Sequence, residues 1–102
     1  MVTRAALPAD LKEVVRQMVD RHNSGRAYPG LNYGVYANEG GHGSVRLPTA
    51  KKNQQYYEGR VGEDQAGQPG VYRIVMLFDD NTNQILAGYY TRDHYFSFVQ
   101  FQ

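Results

Sequence analysis

Residues 72–101 read YRIVMLFDDNTNQILAGYYTRDHYFSFVQF. The stretch holds three runs rich in β-branched and aromatic residues, at 72–78, 84–90 and 95–101, and DDNTN at 79–83 separates the first two. Connections this short leave no room for the dozen or more residues that a parallel crossover needs, so the runs must pair as antiparallel neighbours. Working towards the N-terminus, YYEGRV at 56–61 alternates, with Tyr56, Glu58 and Arg60 on one face and Tyr57, Gly59 and Val61 on the other. Asn32–Tyr36 supplies a further short strand. The glycine-rich stretch Ala37–Thr49, with Pro48, and the segment GEDQAGQPGV read as loops.

Only LPADLKEVVRQMVDRH at 7–22 carries a helical period. Leu7, Leu11, Val14, Val15 and Met18 fall on one apolar face. Pro8 suits a helix start, Asp10 and Glu13 lie near the positive end of the helix dipole, and Gly25 offers a left-handed cap. His22 is expected to interact with the dipole at the helix C-terminus. One N-terminal α-helix packed on one face of a twisted antiparallel β-sheet is an α+β fold. The other face is expected to be uncovered and to take the polar residues. With neither repeats nor a linker, residues 1–102 form one expected domain.

Composition narrows the function classes. The absence of cysteine excludes disulfides, thiol catalysis and thiolate-bound zinc. A net charge of +1 argues against non-specific coating of DNA or membranes and leaves room for a local basic cleft. No apolar run approaches the roughly 20 residues of a membrane span, and MVTRAALPADLK at the N-terminus does not read as a signal peptide. His22, His42 and His94 lack metal-ligand spacing, so no metal is expected. Nine tyrosines suit both strands and base-stacking surfaces.

Glu58 and Arg60 share one strand face, and Arg73 on the next strand can point the same way. Such a face is ordinarily solvated; His94, near the last strand, gives it chemistry. A carboxylate and an imidazole can serve as general base and general acid on either side of a reacting phosphate, with an arginine holding that phosphate. Glu58 would take the ribose 2′-OH proton, His94 would protonate the leaving 5′-oxygen, and the substrate would have to be RNA.

Several stretches then resemble the microbial guanyl-specific ribonuclease superfamily, the barnase-like and fungal guanyl enzymes, in the family's order. ALPADLKEVVRQMV resembles the N-terminal helix of the bacterial members and VYANEG their guanine-recognition segment. YYEGRV resembles the strand of the catalytic glutamate, and PGVYRIV and QILAGYYTRDHYFSF resemble the strands of the catalytic arginine and histidine. The resemblance implies Glu58 as base, His94 as acid and Arg73 on the reacting phosphate, with Tyr95 contacting it. It implies substrate binding by Tyr36, Ala37, Asn38 and Glu39, the Glu39 carboxylate accepting from guanine N1 and N2. It further implies cleavage of single-stranded RNA 3′ of guanosine, through a 2′,3′-cyclic phosphate that is then hydrolysed, without a cofactor. A monomer is expected, secreted or delivered as a toxin domain, and held in check by a small acidic barstar-like inhibitor.

The pattern also departs from the family. Pro69 stands where bacterial members carry a second arginine, and Gly34 falls near the place of a fungal histidine. Arg60, Arg92, Lys51 or Lys52 are the candidate replacements for that lost charge, with His42 in the inserted GGHGSVR segment a further one. Two other readings stay open: a catalytically weakened RNA-binding module, on the missing second arginine, and a structural domain whose polar sheet face is merely solvated.

Overall fold

The computed structural model describes residues 3–39, 45–61, 73–92 and 95–102, with the backbone alone at Val61. His42, Pro69, Asp93 and His94 lie outside the described residues. A short 3-10 turn at Arg4–Ala6 leads into helix α1, Ala9–Ser24. Strands β1 (Leu31–Val35), β2 (Gln54–Val61), β3 (Arg73–Asp79), β4 (Ile85–Thr91) and β5 (Val99–Gln100) follow. They form one five-stranded sheet in sequence order, antiparallel at every pairing. This is the α+β fold, one helix against an antiparallel meander, that short turns and a single helical period require.

The helix begins later than its apolar period suggests. Pro8 is the cap residue, with extended ψ, and its carbonyl accepts from the Lys12 N–H at 2.9 Å. Leu7 therefore reaches the core from outside the helix, by following the 3-10 turn, and is buried with Leu11, Val14, Val15 and Met18. At the other end Gly25 adopts φ 74 and donates its N–H to the Arg21 carbonyl at 3.0 Å. A residue with a Cβ is disfavoured in that left-handed cap.

Strand alternation divides the sheet into two faces. Gly59 on β2 and Ile74, Met76 and Phe78 on β3 turn towards the helix, where the three β3 residues and Phe101 complete the main core. A Cβ on Gly59 would lie 2.4 Å from Met18 Sδ, so the missing side chain is what lets the helix approach the strand. Tyr56 on β2, Val75 on β3 and Ala87 and Tyr89 on β4 face the other way.

That second face is not bare, contrary to the expectation from sequence. Leu47 is buried there, and Tyr36, Ala50, Tyr95 and Phe98 pack around the same cluster. Loop residues cover this part of the face because the aromatic rings of Tyr56 and Tyr89 would otherwise be left in water. The last strand is corrected too. Only Val99–Gln100 pairs as strand, whereas Tyr95 has φ 76, a left-handed conformation incompatible with a strand beginning there.

His22 has more to do than meet a dipole. Its ring stacks on Phe78 with centroids 3.9 Å apart, and Nδ1 lies 2.7 Å from the Tyr33 hydroxyl. Burial pushes its pKa down, and Asn83 and Asp80 partly oppose that shift. The side chain pins the helix C-terminus to the sheet.

Candidate active site

The antiparallel register decides which polar side chains meet. Glu58 on β2 pairs with Val75 on β3, so Arg73, two residues from Val75, emerges on the same face as Glu58. The part of this face around Glu58 and Arg73 stays open as a hollow of about 430 Å³. Glu58, Arg60, Arg73, Tyr95, Asn32 and Gly34 are among the residues that line it. Arg73 is only 7% exposed, so this charge is held against protein and not spread in water.

Tyr95 joins the hollow to the loops around it. Its hydroxyl donates to Glu58 Oε2 at 2.5 Å, its N–H donates to Thr91 Oγ1 at 3.1 Å, and its carbonyl accepts from the Val45 N–H at 2.8 Å. Burial raises the phenol's pKa, and the hydrogen bond and charge of Glu58 raise it further against the opposing pull of Arg73. Tyr95 therefore remains a protonated donor at ordinary pH. Its positive φ in a non-glycine residue is backbone strain held at the wall of the hollow, where three hydrogen bonds over-determine it.

A second hollow, of about 360 Å³, lies beyond the Tyr36 ring. Tyr36, Ala37, Asn38, Glu39 and Arg46 contribute to its wall. Tyr36 stacks on Tyr95 with centroids 5.2 Å apart and planes inclined by 29°, so an aromatic pair stands between the two hollows. Both volumes fall within the roughly 300–1,000 Å³ of small-molecule sites. Asn38, at φ 56, accepts from the Leu47 N–H at 2.7 Å and donates to the Leu47 carbonyl at 2.9 Å. Asparagine tolerates this left-handed backbone better than most residues. Its side chain thereby ties the loop to residue 47.

The structure thus brings Glu58, Arg60, Arg73 and Tyr95 to one hollow and Tyr36, Ala37, Asn38 and Glu39 to the next. Arg92 and Lys51 line neither. The Arg92 guanidinium lies over the Tyr90 ring, 5.6 Å from its centroid, and the Lys51 N–H donates to Gln54 Oε1 at 2.9 Å. Gly34 faces open space, with nothing within 4 Å of where a Cβ would stand. Sequence reasoning missed Asn32, Thr91 and Arg46. Asn32 was findable from its alternation with Gly34, and Thr91 lies only four residues before Tyr95, whereas the Arg46–Glu39 contact joins residues seven apart and leaves no periodic signal.

What such an arrangement can do follows from its parts. A carboxylate held by a phenol can accept a proton, and cationic guanidiniums beside it can bind a phosphate and stabilise charge growing on its oxygens. Among the described residues no group of three His, Cys, Asp or Glu could hold a metal ion, and no helix is long and apolar enough to cross a membrane. Compared with known proteins, the chain matches a family model described as ribonuclease over residues 2–102. No curated protein and no solved structure matches it significantly.

Proposed function

Since this chain belongs to the microbial ribonuclease family of the barnase-like and fungal guanyl enzymes, and is thus an RNA-cleaving enzyme, we propose that it cuts single-stranded RNA 3′ of guanosine without a metal. The observation that carries this reading is the single hollow in which Tyr95 holds the Glu58 carboxylate beside Arg60 and Arg73.

Glu58 takes the proton from the ribose 2′-OH, and that oxygen attacks the adjacent phosphorus. The bond to the 5′-oxygen breaks as His94 protonates it, leaving a 2′,3′-cyclic phosphate. Hydrolysis reverses the roles: the imidazole takes a proton from water, water attacks phosphorus, and Glu58 returns the proton to the 2′-oxygen. His94 lies outside the described residues, so its part rests on the family resemblance. Arg73 binds the reacting phosphate. Arg60 is the accessory cation, because it shares the hollow with Arg73 while Arg92 and Lys51 do not. Tyr36, Ala37, Asn38 and Glu39 form the base site, the Glu39 carboxylate accepting from guanine N1 and N2. Adenine, with a bare N1 acceptor, would leave that carboxylate unpaired.

Residues 1–102 act in this reading as one monomeric catalytic domain. An enzyme that cuts RNA broadly endangers the cell that makes it, which favours secretion or delivery as a toxin together with a dedicated inhibitor. A small acidic protein suits the cationic hollow. The test is incubation of the dinucleotides GpU, ApU, CpU and UpU with the protein in excess EDTA, with His94→Gln as control. Guanosine 2′,3′-cyclic phosphate from GpU alone, lost in the control, is the expected result. Cleavage of all four would retire the base site, and RNA binding without turnover would favour a weakened binding module.

A further inference from the structure

Arg46 has no part in the chemistry above, yet it lines the base hollow beside Tyr36 and Glu39. Its Nη2 donates to the Glu39 carbonyl at 2.8 Å. One residue on, Leu47 exchanges hydrogen bonds of 2.7 and 2.9 Å with the Asn38 side chain. Three hydrogen bonds thus tie residues 38 and 39 to residues 46 and 47 and hold Arg46 at the wall next to Glu39.

A guanidinium carries five N–H donors in one plane, and the contact with Glu39 occupies one nitrogen. A carboxylate alone in this hollow would accept from a base but repel the polyanion that carries it. A guanidinium beside it offsets that charge and adds donors. Together, Glu39 and Arg46 present acceptors and donors to one bound base. Guanine answers both, with O6 and N7 as acceptors and N1 and N2 as donors, whereas adenine places a donor, N6, where guanine has O6. Arg46 is absent from the wall of the hollow that holds Arg60 and Arg73, which separates it from the reacting phosphate.

We propose that Arg46 is a specificity-determining residue: its guanidinium donates to the acceptor edge of guanine while Glu39 takes the donor edge. The inference rests on the guanosine reading above and extends it to a residue on the far side of the loop.

The test compares the wild type with Arg46→Gln and Arg46→Lys. In each, kcat/KM is measured for GpU and ApU, affinity for 3′-GMP and 3′-AMP by titration calorimetry, and folding by thermal unfolding. Arg46→Gln is expected to lower kcat/KM for GpU by about 10- to 100-fold, the size of one bidentate arginine–guanine pair. ApU should change by less than about 3-fold, because that pair is not formed with adenine. Arg46→Lys keeps the charge and a donor for the Glu39 carbonyl but lacks the planar fork, so its G-over-A ratio should fall between the other two. It also decides the matter should Arg46→Gln fail to fold. Equal losses on both dinucleotides would reduce Arg46 to a loop staple or a general phosphate attractor, and no loss on either would make it a solvated residue; both overturn the proposal. A wild type that cuts neither dinucleotide would defeat the catalytic reading alone. The nucleotide titrations then decide: a 3′-GMP preference that disappears in Arg46→Gln upholds Arg46, and equal wild-type affinities or an unchanged preference overturn it.

Discussion

The helix face and the cleft face are two sides of the same strands, and residues one apart in β2 and β3 serve opposite ends. Towards the helix, Ile74, Met76 and Phe78 are each 1% exposed or less, and Met18 and Val15 close over them from α1. On the other side Val75 is as deeply buried, but its neighbours along the strand direction include Arg73, and its partner across the ladder is Glu58. The centre of one face is given wholly to packing. The second divides between an aromatic cluster under the loops and the polar hollow. The rigid strands that the helix holds in place are what position Glu58 and Arg73 as a pair, since side chains on strands move less than side chains on loops.

Substitutions on the two faces should therefore separate activity from stability. The largest effect is expected from Glu58→Gln, which keeps shape and removes the proposed base. Its kcat should fall by about 10²- to 10⁴-fold, the usual contribution of a positioned general base, with little change in thermal unfolding. A collapse of the fold instead would mean that Glu58 is structural. Across the sheet, Met76→Ala should cost about 2–5 kcal/mol in urea unfolding, as for other large-to-small changes in a closed core. Its kcat, measured where the variant is still folded, should stay close to that of the wild type. A comparable loss of kcat would break the separation of the faces.

Tyr95→Phe sharpens the boundary between hollow and aromatic cluster. It retains the stack on Tyr36 and deletes the hydroxyl that donates to Glu58. A kcat reduced about 10-fold is expected, in line with about 1.5 kcal/mol for one hydrogen bond to a charged group. An unchanged kcat with a shifted KM would instead assign Tyr95 to binding. The smallest effect belongs to His22. Burial depresses its folded pKa below the ordinary imidazole value of 6.5, so below that pH the unfolded chain binds the extra proton first. Stability attributable to this residue is complete above pH 6.5 and is lost as pH falls through the folded pKa. His22→Gln should lose less melting temperature between pH 7 and pH 5 than the wild type does. An identical pH dependence in both proteins would remove His22 from the account of acid stability.

Much of this was legible before folding was considered. The 3.6-residue period of Leu11, Val14, Val15 and Met18 marks α1, and the short turns dictate an antiparallel meander, because both signals depend on neighbours in the chain. Glu58 and Arg73 were legible as residue types, and strand alternation suggested their common face. The extent of β5 was not: Phe96, Phe98 and Phe101 look like a strand, but the left-handed turn at Tyr95 and its bonds to Thr91 and Val45 take precedence. His22 was legible only as a helix C-terminal residue, since its ring partners Tyr33, Tyr57 and Phe78 come from three strands.

By itself, then, the sequence determined the α+β class, the strand order, the helix and its glycine cap, and the family, all of which follow from local periodicity, turn chemistry and motif order. Only the tertiary structure decided that loops cover part of the second face, that a Tyr36–Tyr95 stack stands between the two hollows, and that Arg46 returns to the wall beside Glu39. The physical reason is the range of the forces involved. Propensity and periodicity act over a few residues, whereas burial of aromatic area and satisfaction of backbone donors are settled between segments that meet only once the chain has folded.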